Sequence, residues 1–205
     1  MHILIIPSGY PTPDNPVRGN FFREQAHALR RAGYKVGVIV TPTIDSTRLL
    51  LNRKSLKRGT YIENDQGIVT YRFYGLNWLI RSKKGSLLLS IQASKQLFRQ
   101  YIAEQGLPDI IHAHCALMGG VIAKSLTKSS NIPLLITEHS SSFARNLLSS
   151  WQIKLAKQVF ASADTRIAVS PELGKQLANI FPNEFNFWSW IPNLVEPSFY
   201  NWDFP

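Results

Sequence analysis

The chain has 205 residues, of which 44% are hydrophobic and 18% are charged, so the composition excludes a disordered segment and predicts a globular protein with a sizeable core. Its 23 lysines and arginines against 13 aspartates and glutamates give a net charge of +10, which favours anionic partners. The single cysteine, Cys115, excludes an intrachain disulfide and a cysteine-based zinc site.

The opening MHILIIPSGY lacks a basic leader, and its apolar run is too short for a signal peptide or a membrane span. A lone cysteine also fits a reducing compartment. We therefore expect a cytoplasmic protein.

Short apolar runs alternate with stretches of helical period, which predicts an α/β fold with a Rossmann-like parallel sheet and helices on both faces. The predicted strands are residues 3–6, 34–40, 68–74, 110–115, 134–137, 165–170 and 188–192. In the first predicted helix, Phe22, Ala26 and Leu29 share one face. Asn20 is its expected N-cap and Gly33 its expected end.

The later helices follow from the same period. They are a long helix ending near Gly106, a helix over about residues 118–127, one carrying Trp151, Leu155 and Val159, and one opened by Pro171 with Ser170 as its cap. Between residues 41 and 67 the period fades, and we expect an exposed, partly helical excursion there. Its basic residues are Arg48, Arg53, Lys54, Lys57 and Arg58.

Ligands of an open parallel sheet bind at the carboxyl ends of its strands, because loops and helix N-termini meet there. Arg18, Gly19 and Asn20 stand before the first helix, whose N-terminus favours an anion, and Gly19 permits close approach of the backbone. We expect these residues to contact a phosphate. An ordinary capped turn lengthened by prolines is the alternative, since no G-x-G-x-x-G or G-K-[ST] signature is present.

His112 and His114 lie two residues apart on a predicted strand. We expect them to point to opposite faces, so that they cannot readily bind one metal ion, and we expect His114 to face the cleft. A structural role for either histidine is the alternative.

The segment TEHSSSF offers Glu138 and His139 for acid–base chemistry, with Glu138 orienting or charging the imidazole. Adjacent strand residues diverge, so the two do not form a ready-made dyad. A serine triad is disfavoured because no G-x-S-x-G elbow is present. In the alternative interpretation residues 140–142 cap the next helix and Glu138 pairs with an arginine. Ser170 and Glu172 form a further candidate site. A helix cap is a sufficient explanation for Ser170.

Six segments together resemble one known family. They are MHILIIPSGYP, GNFFREQAHALRRAGYKVGVIV, PDIIHAHCALMGGVIA, PLLITEHSSSF, ADTRIAVSPELGKQL and IPNLVEPSFY. In this order and spacing they are similar to the N-terminal half of a family 4 glycosyltransferase of GT-B architecture. The resemblance covers nearly the whole chain. It departs from the family pattern in having one glycine in PVRGNF, where many relatives have two, and Leu194 where glycine is usual.

The resemblance implies one half of a two-domain enzyme that transfers a sugar from a nucleotide-sugar donor with retention, without a metal or other cofactor. Residues 1–190 would be the acceptor-binding domain and residues 191–205 the start of the interdomain linker. The donor would bind mainly to a second domain carrying an E-x7-E pattern. That domain is not in this sequence, so we expect this fragment alone to be inactive.

The resemblance also implies roles for individual residues. They are His139 and Glu138 as catalytic residues, Arg18, Gly19 and Asn20 at the donor phosphate, and His114 and Arg145 on the side of a glycan or lipid-linked acceptor. The main-chain carbonyl of His139 would help to stabilise oxocarbenium-like charge.

The basic surplus admits three further interpretations. The residues of the excursion, together with Arg81, Lys83 and Lys84, could hold the protein at an anionic membrane surface, or they could form a solvated face. A nucleic-acid-binding module would also be basic, although no specific nucleic-acid motif supports it. A stand-alone nucleotide-binding or phosphate-binding domain is the other alternative to a transferase.

Overall fold

The structure is a computed structural model that describes residues 1–12, 15–41, 43–45, 59–77, 82–128, 130–182, 184–185 and 187–194. The described residues form one mixed sheet of nine strands. The strands are β1 (His2–Ile6), β2 (Lys35–Val40), β3 (Thr43–Asp45), β4 (Gly59–Asp65), β5 (Ile68–Asn77), β6 (Ile110–His114), β7 (Leu134–Glu138), β8 (Thr165–Ala168) and β9 (Ser189–Trp190).

The strand order is β3-β5-β2-β1-β6-β7-β8-β9, and β4 pairs with β5. The chain winds outward from β1 through β2 to β5 and then crosses to β6 on the other side of β1. This reversal makes the gap between the ends of β1 and β6 the topological switch point, where open α/β sheets bind ligands. All neighbouring strands are parallel except β4 and β5, which are antiparallel.

Five α-helices and one π-helical turn connect the described strands. They are α1 (Asn20–Arg31), α2 (Lys83–Gln105), the π turn (Cys115–Gly120), α3 (Val121–Thr127), α4 (Ser150–Ala161) and α5 (Pro171–Ile180). The helices cover both faces of the sheet. Ile3 and Ile5 of β1 cluster with Ala26 of α1. Leu4 and Ile6 belong to a second cluster, which includes side chains of α2, α3, α4 and α5. Because alternate strand residues face opposite sides, these clusters confirm a sheet that is buried on both faces.

The prediction of a partly helical excursion was wrong for residues 59–65, which form β4 along the edge of the sheet. Burial alternates along this strand, as expected where only one face is covered. Its polar residues Glu63, Asn64 and Asp65 obscure that period in the sequence. The sheet is therefore mixed rather than purely parallel. The basic residues 48, 53, 54, 57 and 58 lie outside the described residues.

Two capping predictions were also wrong. Helix α1 begins at Asn20 itself, and its N-cap is Gly19, at φ 73°, with no side-chain capping bond. Residues 140–142 do not start a helix, because α4 begins at Ser150 and is capped by Ser149 and Gln152 in a capping box. The Ser170 cap is confirmed, since its hydroxyl accepts from the Leu173 amide.

Candidate functional site

A cleft of about 540 Å³ lies at the carboxyl ends of β1, β6 and β7. The loops after these strands contribute Ser8, Cys115, Glu138, Ser140 and Ser142, and the first loop adds Arg18. The helical side is formed by residues of α2, the π turn, α3 and α4. The cleft therefore occupies the switch point that the topology marks for ligands.

Glu138 ends β7 and is fully buried, yet its carboxylate belongs to the lining of this cleft. One oxygen accepts from the Ala116 amide at 2.8 Å. The other accepts from the amides of His139, at 3.0 Å, and Ser140, at 2.8 Å. Burial raises the pKa of Glu138, and these main-chain bonds only partly oppose the rise. The carboxylate thus fixes the start of the TEHSSSF loop against the π turn, and no arginine pairs with it among its described contacts.

His139 lies immediately beyond β7 and packs among aromatic rings. Its centroid lies 5.2 Å from that of Phe21 and 5.0 Å from that of Phe22, and both phenylalanines belong to the first turn of α1. Burial lowers the pKa of His139 to about 4, and the Asn193 side chain opposes this fall. The imidazole is therefore neutral at pH 7. Its buried Nδ1 has no partner of hydrogen-bond geometry in the described part of the chain.

His114 supports His139 from behind. The two rings join through Nδ1 of His114 and Nε2 of His139, which are 3.0 Å apart. His114 is fully buried between this ring, Phe22 and His112. Burial also holds its pKa well below the ordinary value, so the bond joins two neutral rings. The structure therefore places His114 beneath the site residue rather than in the lining of the cleft.

The prediction that His112 and His114 point to opposite faces was wrong. Their ring centroids lie only 4.3 Å apart, because residues two apart on a strand share a face. His112 is hydrogen-bonded to Thr137, with 2.8 Å between Nε2 of His112 and Oγ1 of Thr137. Within the described ranges, no three His, Cys, Asp or Glu side chains are arranged to hold a metal ion.

The first loop meets the same site. A methyl group on Gly19 would stand 2.5 Å from the carbonyl oxygen of Gly9, and the residue has a positive φ, so only glycine fits. Arg18 lies over Gly9 and lines the cleft, while Asn20 starts α1 and is half-buried. This loop places the N-terminus of α1 beside His139.

Two other candidates lie apart from the cleft. Arg145 is exposed in the turn after Ser140 and does not line the cleft. Ser170 is used as the cap of α5, whose first turn contains Glu172.

The sequence interpretation missed the π turn, which supplies the Ala116 amide to Glu138. Cys115 opens the turn at φ 63°, and burial raises its thiol pKa to about 12, so the thiol is not a reactive thiolate. Any side chain on Gly119 would collide with the carbonyl oxygens of Ile6 and His114. The paired glycines Gly119 and Gly120, a few residues after β6, were the usable signal, since they indicate a close backbone approach.

The sequence of residues 19–199 matches the family described as Glycosyltransferase Family 4. The chain belongs to this family. It is 28% identical over 187 residues to the Bacillus subtilis (strain 168) protein named "Putative teichuronic acid biosynthesis glycosyltransferase TuaC". That match covers 86% of this chain and 46% of the relative.

A solved structure shares the fold. The crystal structure of Arabidopsis thaliana UGT89C1 complexed with UDP matches with a TM-score of 0.56 at 12% identity, covering 97% of this chain and 54% of that one. The predicted resemblance to this family is confirmed: the chain has the fold of the N-terminal domain of a GT-B glycosyltransferase. It spans about half the length of both proteins. No described helix has the length and apolarity needed to cross a bilayer.

Proposed function

We propose that the protein transfers a sugar from a nucleotide-sugar donor to a glycan or lipid-linked acceptor with retention of anomeric configuration. Residues 1–190 are the acceptor-binding half, and residues 191–205 begin the linker to a donor-binding domain. Residues 1–205 alone are inactive in transfer, because the donor binds mainly to the second domain. The name of the Bacillus relative supports a role in polysaccharide biosynthesis, and the UDP in complex with the plant protein supports a nucleotide donor.

One observation carries this proposal. The neutral imidazole of His139 packs against Phe21 and Phe22. Both phenylalanines lie in the first turn of α1, so His139 is next to a helix N-terminus, which favours an anion. A donor phosphate near Gly19 and Asn20, with Arg18 beside it, would therefore place the attached sugar next to His139. With Nε2 bonded to His114, the buried Nδ1 of His139 is the ring nitrogen left for a sugar hydroxyl, which would compete there with the Asn193 side chain.

The buried carboxylate of Glu138 complements this arrangement. Main-chain amides hold it in place, and it lines the cleft without a cationic partner among its described contacts. The carbonyl of His139, together with Glu138 in its ionised form, would stabilise the positive charge that develops on the sugar in an oxocarbenium-like transition state. His114 and the more distant Arg145 act on the acceptor side, His114 through its bond to His139.

The test uses the full-length protein that contains this chain, a panel of labelled nucleotide sugars, and acceptors with and without lipid. His139→Ala is expected to lower kcat/KM by roughly 100-fold or more, the size expected for a lost transition-state contact. His2→Gln is the matched control, because His2 begins β1 at the end away from the cleft, and kcat/KM should not change. Transfer is expected to survive EDTA. An unchanged rate in a folded His139→Ala protein would remove His139 from the mechanism, and saturable nucleotide binding by the fragment without transfer by the full protein would favour a simple binding domain.

A further inference from the structure

The cleft is lined by two kinds of side chain that come from different elements. The strand-end loops supply mainly polar residues, such as Ser8, Glu138 and Ser140. The helical side, together with Leu148 just before α4, supplies mainly apolar ones, namely Leu87, Leu117, Ile122, Leu148, Trp151 and Leu155. Ser86, Ser90 and Gln152 are the polar exceptions on that side. A ligand that fills the cleft therefore meets polar groups at one side and an apolar wall at the other.

The described part of the chain covers this wall incompletely. Leu87, Leu117, Leu148 and Leu155 pack against the core but are only partly buried, and Trp151 is half-buried as well. Soluble proteins rarely leave contiguous apolar surface open without a function, since covering it with apolar atoms is favourable by about 25 cal/mol per Å². A wholly hydrophilic acceptor would bury no apolar group here.

A positive charge stands at the same wall. The ammonium group of Lys84 lies 5.5 Å from the centroid of the Trp151 ring; Trp151 lines the cleft, and Lys84, which is not itself a lining residue, stands beside it. Lys84 is exposed in the first turn of α2, and this turn contains no acidic residue. The positive end of the helix dipole adds to its field. An anionic group next to an apolar chain complements this arrangement.

We propose that the acceptor of this cleft is an anionic amphiphile: its apolar chain lies against the wall between α2 and α4, and its phosphate meets Lys84. This inference rests on the proposed function, because it names the acceptor class of that same site. The occupant is the chain of a single lipid-linked acceptor molecule, not the surface of a bilayer.

Direct binding to the 205-residue chain tests the inference without any transfer reaction. Calorimetric titrations with hexyl, octyl and decyl phosphate, each below its micelle concentration, are compared with inorganic phosphate. The Kd is expected to fall about threefold to fourfold for each methylene that enters the cleft, with one molecule bound per chain. Equal Kd values for hexyl and decyl phosphate would overturn the inference. So would several bound molecules per chain, which indicate detergent-like adsorption.

Neighbouring leucines supply a matched pair of variants. Leu148 lines the cleft and is half-buried, whereas Leu147 beside it is 60% exposed and does not line the cleft. Leu148→Gln is expected to weaken the binding of decyl phosphate roughly tenfold and to flatten the dependence on chain length. Leu147→Gln should change the Kd by less than twofold. Equal losses of affinity for decyl phosphate in the two variants would mean that the alkyl chain does not lie on this wall.

A matched pair of lysines tests the phosphate. Lys84→Gln is expected to weaken decyl phosphate severalfold and to leave decanol unaffected. Lys154→Gln, on the exposed side of α4, should affect neither probe. Loss of binding to decanol and decyl phosphate alike in Lys84→Gln would refute the charge contact.

Two further experiments distinguish this inference from membrane binding and from the proposed transferase function. Binding to anionic vesicles without binding to monomeric decyl phosphate would assign the wall to a membrane and overturn the inference. Transfer by the full-length protein to a soluble glycan, with no alkyl phosphate binding, would also overturn it while sustaining the proposed function. Alkyl phosphate binding with no sugar transfer would leave the cleft's ligand class standing and refute the transferase.

Discussion

Two carboxyl groups, that of Glu138, buried at the cleft, and that of Asp65, partly buried at the end of β4, are compensated in opposite ways. Asp65 accepts two bonds from the guanidinium of Arg23, at 2.8 and 2.7 Å, and one from the Tyr10 hydroxyl at 3.0 Å. Burial alone would raise the pKa of Asp65, but the bonds from Arg23 and Tyr10 outweigh it and lower the pKa. Glu138 receives main-chain amides instead, and its pKa is raised.

The difference separates a structural clamp from a functional site. At Asp65 the charge is cancelled by a cation, and the pair ties α1 to the β4–β5 edge. At Glu138 the carboxyl group is held by main-chain amides without a cationic partner among its described contacts, and burial raises its pKa. A fixed carboxyl group with a raised pKa and no counter-ion can exchange a proton with a bound ligand or act on it electrostatically, whereas a paired carboxylate mainly stabilises the fold. We expect changes at Glu138 to affect both stability and transfer, and changes at Asp65 to affect stability alone.

The largest expected effect is that of Glu138→Ala. It leaves three main-chain donors without their acceptor, so the free energy of unfolding is expected to fall by about 3 kcal/mol. Glu138→Gln retains one acceptor oxygen and should lose about half as much. Urea denaturation measures both. Stability equal to that of the wild type in Glu138→Ala would show that the clamp on the TEHSSSF loop is unimportant.

The pH dependence of stability sharpens the comparison. His112 has its pKa lowered to about 3 and His139 to about 4, and that of His114 is also well below 6.5. Because folding keeps these rings neutral, their contribution is fully present above pH 6.5 and is lost as the pH falls toward 4. His139→Gln is expected to reduce the slope of unfolding free energy between pH 6.5 and 5 by about 1 kcal/mol per pH unit.

Asp65→Asn is the control for that slope. The lowered pKa of Asp65 makes its contribution present above pH 3.8 and lost only below it. The variant should therefore leave the slope between pH 6.5 and 5 unchanged. A flatter slope in Asp65→Asn than in His139→Gln would reverse the roles assigned to the two regions.

Asp65→Asn also has an expected effect at pH 7. Losing the charge opposite Arg23 should lower the free energy of unfolding by about 1–2 kcal/mol, since the pair is only partly exposed. We expect kcat/KM for transfer to stay within about twofold. Lys157→Gln, which breaks the exposed pair with Glu184, should cost about 0.5 kcal/mol or less in the same denaturation experiment. A large loss of transfer in Asp65→Asn would show that the clamp is part of the site.

A smaller effect than that of Asp65→Asn is expected at Ser170. Ser170→Ala removes the cap of α5 and should cost about 1 kcal/mol, measured as a shift of the urea midpoint, with the transfer rate unchanged. Ser170→Asp keeps an acceptor at the N-cap and is the matched control. A reduced rate in Ser170→Ala together with unchanged stability would move this residue from the fold into the site.

Local sequence was sufficient for most of the fold. Apolar runs mark the buried parallel strands β1, β2, β6, β7 and β8, since a strand covered on both faces needs no polar alternation. The long helix α2 ends at Gln105 with Gly106 as its C-cap, as its period indicates. Strand β4 was missed because it is an edge strand whose burial pattern depends on its partner β5.

At the candidate site the sequence determined which residues gather, and the tertiary structure decided what each one does. Strand ends and a glycine before a helix place residues 18–20 and 138–139 at one edge, because parallel strands deliver their carboxyl ends together. The sequence alone did not show that Glu138 is held by the Ala116 amide, that His114 supports His139, or that an apolar wall faces them. Those contacts join residues far apart in the chain, and hydrogen bonds and burial between distant elements leave no local period to read.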